Sequence, residues 1–167
     1  MTSATIPSTP AFSGKLRFLA ISVAAAVTAA SAAHASTLLT VPVWAMFMGW
    51  VTYYTRGHSG RDGLFNYACL VLGIGLGLLA VAAVGALAPS LGSYALPIVV
   101  LVIATLVVSL RAVPMLSNIP AYFLGLITVF AAHVPPSVDA LVELGLAGAV
   151  GCFAAWFATN WQQRLAA

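Results

Sequence analysis

GLFNYACLVLGIGLGLLAVAAVGALA, residues 63 to 88, has no charged side chain. A helix over this run, rising ~1.5 Å per residue, is longer than the ~30 Å hydrocarbon core of a bilayer. The rest of the chain offers no polar outer layer to cover it. Of the 167 residues, 62% are hydrophobic and 5% are charged, and mean hydropathy is +1.08. A soluble domain carries about a quarter of its residues charged. The solvent for this chain is therefore lipid, and the expected class is an all-α membrane protein.

Outward from that run, charge, Pro and Gly cut the sequence into six apolar segments: 16 to 36, 38 to 54, 63 to 88, 93 to 110, 114 to 131 and 138 to 160. Together they predict one six-helix transmembrane domain over 15–164. The lead 1–14, rich in Ser, Thr and Pro, has little to bury and is expected to be disordered on the cytoplasmic side. Lys15, Arg17, the apolar run after them and Ala33-His34-Ala35 imitate a signal peptide with its cleavage site. The run from Leu16 to Ser36 is nevertheless long enough to span, and its removal would spoil the even count of segments.

With the N-terminus inside and six crossings, Lys15, Arg17, Arg56, Arg61, Arg111 and Arg164 all fall on the inner side. The loops near residues 37, 90 and 134 then hold no Lys or Arg. That bias orients both termini toward the cytoplasm. The net charge of +3 comes from six basic and three acidic residues, too few for a phosphate-tracking surface, so no nucleic acid partner is expected. Cys69 and Cys152 lie in apolar stretches without a CxxC spacing and read as buried, inert thiols.

The halves resemble each other. Val41-Pro42-Val43-Trp44, followed by Phe47 and Gly49, has a counterpart in Ile119-Pro120-Ala121-Tyr122, followed by Phe123 and Gly125. Each lies in the short middle segment of a three-segment unit, about 16–88 and 93–160. Three crossings are an odd number, so the second unit is predicted to be inverted relative to the first, with Pro42, Gly49, Pro120 and Gly125 as hinge positions. Ordinary Pro in the first turn of two helices is the plainer alternative. Gly73 with Gly77 and Ala147 with Gly151 form small-xxx-small pairs. They join segments three and six within a subunit or join subunits.

The segments VPVWAMFMGWVTYYTRG and SNIPAYFLGLITVFA, with this segment pattern, resemble the YcdZ-like family of small bacterial inner-membrane proteins, domain of unknown function 1097. The resemblance runs roughly from 16 to 160. It implies an inner-membrane location and about six spans, and it supplies no accepted activity and no catalytic residues.

Ionisable groups inside a membrane are functional candidates. His34, His133, Asp139 and Glu143 gather toward the outer side, and Glu143 sits ~6 Å deeper than Asp139 by helical rise. Glu143 either lines an outer vestibule, with His34 or His133 as a pH-responsive partner, or snorkels to water. Asp139 begins the last helix, where a carboxylate suits the dipole. These four lack the spacing of a metal site, and no metal or cofactor is expected. Asn66 and Asn118, near the inner boundary, could hydrogen-bond a solute, and Asn118 equally suits helix capping. Trp44, Phe47, Tyr122 and Phe123 are candidate constriction residues, or pack against lipid and neighbouring helices.

No Ser/His/Asp spacing, HExxH or phosphate loop is present, so no enzyme is expected. The leading expectation is a channel or facilitator for a small neutral or weakly charged solute, forming a homo-oligomer. A non-transporting component that packs against partner helices and a proton-coupled transporter using Glu143 are the alternatives.

Overall fold

The computed structural model describes residues 11–166. Every regular element among them is helical: α1 (Ala11–Leu38), α2 (Val43–Tyr53), α3 (Gly60–Leu91), α4 (Ala95–Ser109), α5 (Ile119–Ala132) and α6 (Val138–Ala166), with three single 3-10 turns. Four residues expected in the disordered lead, 11–14, belong to α1. The remainder of that lead lies outside the described residues.

The helices are unequal. Three stretches are long and apolar enough to cross a bilayer: Gly14–Leu38, Gly60–Ala112 and Val138–Arg164. The second holds both α3 and α4, which Gly92 separates by taking a φ of +54° that favours glycine. By helical rise α2, α4 and α5 measure only ~17, ~22 and ~21 Å, short of a full hydrocarbon core. The two segments that are short in the sequence, 38 to 54 and 114 to 131, thus form short helices, and α4 is shorter than its segment of 93 to 110. Pro42 caps α2 in extended conformation after Thr40 has turned the chain at positive φ, so the apolar run from residue 38 yields a helix only from Val43. Pro114 likewise sets a 3-10 turn, which delays α5 to Ile119.

Packing groups the helices into two bodies. α2 and α1 lie against α6, and α5 and α4 lie against α3; these include the most extensive pairings in the chain. One core, built on Met46, Ala32 and Ala154, belongs to α1, α2 and α6. A second, with Cys69, Val107, Tyr122 and Leu126, belongs to α3, α4 and α5. The seam between them is filled by Val41 of the α1–α2 connection, Ala45 of α2, Leu70 and Ile74 of α3, and Leu144 and Ala147 of α6.

Each body is drawn together by glycine. At the α2–α6 crossing a Cβ on Gly49 would strike the Gly148 carbonyl, and one on Gly151 would strike the Met46 carbonyl. At the α3–α5 crossing Gly73 meets the Tyr122 backbone, and Gly125 meets the Leu70 and Gly73 backbone. Only a residue without a side chain lets helix backbones approach so closely. The small-residue pairs of α3 and α6 thus serve α5 and α2, their partners within the chain: Gly77 faces Val129, and Ala147 is buried in the seam.

The internal likeness also takes a different register from the one that the prolines suggest. α2 begins at Val43 and α5 at Ile119, and that same offset relates Phe47 to Phe123, Gly49 to Gly125 and Thr52 to Thr128 without a gap. Pro42 then corresponds to Asn118, since each is the N-cap of its helix. Pro120 is one residue inside α5 and is not its partner.

Candidate functional site: a polar clasp across the seam

Along α3 the buried positions Asn66, Leu70, Gly73 and Gly77 follow helical spacing, so Asn66 is carried into the seam by the phase of its neighbours. Its amide Nδ2 donates to the carbonyls of Tyr53, at 3.1 Å, and Arg56, at 2.7 Å, which end α2 and begin the following loop. Its Oδ1 accepts from Asn118 Nδ2 at 2.7 Å. Asn118 Nδ2 also donates to Thr55 Oγ1 at 2.7 Å, while its Oδ1 caps α5 by accepting from the amide of Ala121. Above this hub Arg56 Nη1 donates to the Pro114 carbonyl at 2.9 Å and to Ser117 Oγ at 3.0 Å. The result is a clasp in which the end of α2 and its loop are tied to α3 and the head of α5.

The clasp uses both side-chain N–H groups of each Asn, so in this conformation the two residues hold the chain together. About one helical turn further in lie two hydroxyls with no such partners. Thr52 and Tyr122 are both 0% exposed, and Thr52 Oγ1 and Tyr122 Oη have no hydrogen-bond partner among the described residues. A buried polar atom left in this state costs about 1–3 kcal/mol. The composition of the chain does not call for either hydroxyl, since Val and Phe have nearly the same shapes.

The other candidates are scattered. Trp44, Phe47 and Phe123 are 37%, 43% and 37% exposed, so of the four aromatic candidates only Tyr122 points into the interior. Glu143 is exposed, as are His34 and His133, so Glu143 does not line an internal vestibule. The cause is helical phase: Ala140, Leu144 and Ala147 face the seam, and Glu143 falls beside that stripe. Asp139 lies in the first turn of α6, as expected, but the amide of Ala140 is capped by Ser137 Oγ at 3.0 Å. His133 ends α5 at a φ of +51°, its Nδ1 2.9 Å from the Ala131 carbonyl. Among the described residues no cluster of His, Cys, Asp and Glu could hold a metal ion. Cys69 and Cys152 are buried and free.

The clasp also fixes the ends of the molecule. Arg56 is joined to the α4–α5 connection, and Gly60 lies beside Trp156 near the end of α6. Arg56, Arg61, Arg111 and Arg164 therefore share one end, the basic end. Asp139 and Glu143 begin α6 at the other.

Long apolar helices, lipid-compatible outer faces and an interior with few polar side chains define a helical membrane protein. The family described as Protein of unknown function (DUF1097) matches residues 19–159, and the chain belongs to it. No curated protein and no solved structure matches the chain.

Proposed function

We propose that this protein is a facilitator for a small neutral or weakly charged solute, working in a bacterial inner membrane by movement of its two bodies about the seam. In this reading the chain makes six crossings as two inverted three-helix units, and its basic end faces the cytoplasm. The ungapped offset between α2 and α5 supports the repeat. A second offset relates α3 to α6, pairing Gly73 with Gly151, and each of these glycines meets the corresponding residue of a short helix, Tyr122 or Met46. The short helices are then the elements beside the pathway.

The observation that carries the proposal is the placement of the clasp. Direct hydrogen bonds cluster across the seam at the basic end; deeper in, the seam is apolar apart from the unpartnered hydroxyls just beneath and a single bond from Tyr67 Oη of α3 to the Gly145 carbonyl of α6 at 3.0 Å. A seam poor in fixed charge suits neutral solutes, since an ion would lose its hydration without compensation. The aromatic side chains exposed on α2 and α5 would line contacts with lipid or with other copies of the chain in a homo-oligomer.

Stopped-flow light scattering on proteoliposomes tests this reading with a panel of small neutral solutes, against empty liposomes and an Asn118→Leu variant. Solute-selective swelling that the variant alters supports it. Identical traces from all three would refute it. A second reading, a non-transporting component that packs against partner helices, is favoured by the closed crossings, where Gly49 and Gly148 leave no gap between α2 and α6. That reading expects the identical traces.

A further inference from the structure

Three cavities meet around one ridge of α6, formed by Phe153, Trp156 and Phe157. The first, about 370 Å³, is a groove between α1 and α6 that runs from Val27 and Trp161 at the basic end to Ala35 and Val150. The second, about 340 Å³, lies on the opposite flank of the ridge, between α3 and α6, where Gly60 and Gly63 leave room against Ala149 and Trp156. The third, about 410 Å³, sits at the basic end and joins the other two, with Asn160, Trp161 and Arg164 in its wall. The two flanking grooves are apolar. The joining cavity holds a guanidinium and an amide.

We propose that this face binds an anionic phospholipid, with one acyl chain in each groove and the phosphate at Arg164 and Asn160. Length supports the fit: Val150 to Trp161 spans ~16 Å of helix, about the depth of one leaflet of a ~30 Å hydrocarbon core. The groove thus opens to the headgroup region where its basic wall begins. Charge supports it as well. The basic end carries the Arg side chains of both interhelical loops and of α6, and α1, antiparallel to α6, starts there with Lys15 and Arg17 exposed. The carboxylate at this end, Asp62, is engaged by Ser59 Oγ at 2.7 Å. Trp156 and Trp161 beside the site suit the level of lipid headgroups. A basic pocket between membrane helices recognises such headgroups by the same electrostatics that draws polybasic segments to anionic leaflets.

The test is native mass spectrometry of the detergent-solubilised full chain, titrated with phosphatidylglycerol or phosphatidylcholine of equal chain length. Phosphatidylglycerol should bind the more tightly. Arg164→Gln should weaken it by about fivefold, the contribution of one basic side chain near an anionic surface, and leave phosphatidylcholine unchanged. Ser31→Phe, which fills the α1–α6 groove from an exposed position, should weaken both lipids. Arg111→Gln, which lines none of the three cavities, serves as the charge control and should have no effect. Equal binding of the two lipids would overturn the proposal. So would equal losses in Arg164→Gln and Arg111→Gln, which would mark a general charge effect, or unchanged binding in Ser31→Phe.

Discussion

Replacing Gly73 or Gly151 by alanine adds one methyl group to a helix crossing that has no space for it. At Gly73 the new Cβ would lie 2.8 Å from Tyr122 Cα and closer still to the carbonyl; at Gly151 it would lie 2.7 Å from the Trp50 amide nitrogen and closer to the Met46 carbonyl. These neighbours are backbone atoms of another helix, so no rotamer change relieves the clash and the two helices must separate. Overpacking of this kind costs about 1–3 kcal/mol. Gly75 and Gly85 lie in the same helix as Gly73, but a Cβ there meets nothing within 4 Å. At those sites alanine should stabilise, by up to about 1 kcal/mol of helix propensity. The two sets should therefore differ by about 2–4 kcal/mol, with Gly73→Ala and Gly151→Ala alike. Reversible unfolding in mixed micelles, followed by circular dichroism as the denaturing detergent is raised, measures the difference. If Gly73→Ala and Gly151→Ala match Gly75→Ala in stability, the account of the crossings is wrong.

Asn66→Leu keeps the volume but strands the Tyr53 and Arg56 carbonyls, and the same unfolding assay should show a loss of about 2–4 kcal/mol. Tyr122→Phe removes a buried hydroxyl with no partner and should raise stability by about 1–3 kcal/mol; a fall would reveal a partner for that oxygen. Glu143→Gln alters an exposed side chain away from the seam, so stability should stay within about 0.5 kcal/mol, and solute flux in proteoliposomes should match the parent. A lost flux in that variant would revive proton coupling through the carboxylate.

The helical class and the apolar segments were legible because lipid imposes them through composition, which survives any detail of packing. Two of the basic loops do meet: the hydrogen bonds of Arg56 to the α4–α5 connection bring Arg56 and Arg111 to one end of the molecule. The prolines are the most visible residues of the internal likeness, and the register they suggest differs from the one that the helix starts suggest. Pro42 and Pro120 look equivalent, but glycine contacts set the geometry, and their spacing pairs Pro42 with Asn118. Glu143 is exposed, in keeping with the alternative that it snorkels to water, and helical phase gives the reason: Ala140, Leu144, Ala147 and Gly151 trace the buried stripe in the sequence itself. The same test applied to α3 places Asn66 inside. What no local pattern could supply was the pairing of Asn66 with Asn118, because that contact depends on how two distant loops meet.

The clasp has no counterpart at the other end, and that difference bears on how a two-body facilitator would open. By the offsets that relate the units, Asn66 corresponds to Leu144 and Asn118 to Pro42, so the far end of the seam closes with Val41, Leu144 and partly buried Val134. Opening the basic end exchanges direct hydrogen bonds for bonds to water, at a net cost of about 0.5–1.5 kcal/mol each. Opening the far end exposes apolar side chains, at about 1.5–3 kcal/mol for each one fully wetted. A clasp of five or six bonds and a seal of three or four apolar side chains therefore cost comparable amounts, even though one is polar and the other is not. Near-balance of the two closures is what a facilitator requires, since a solute must be able to enter and leave from either side. The exchange is sensitive to single substitutions: Leu144→Asn would weaken the apolar seal, while Asn66→Leu would weaken the polar clasp. Accessibility of single cysteines to a membrane-impermeant thiol reagent, placed at Thr55 and at Val41, should rise at opposite ends in these two variants. A rise at the same end in both would show that the two closures are not alternatives, and the two-body reading would fail with it.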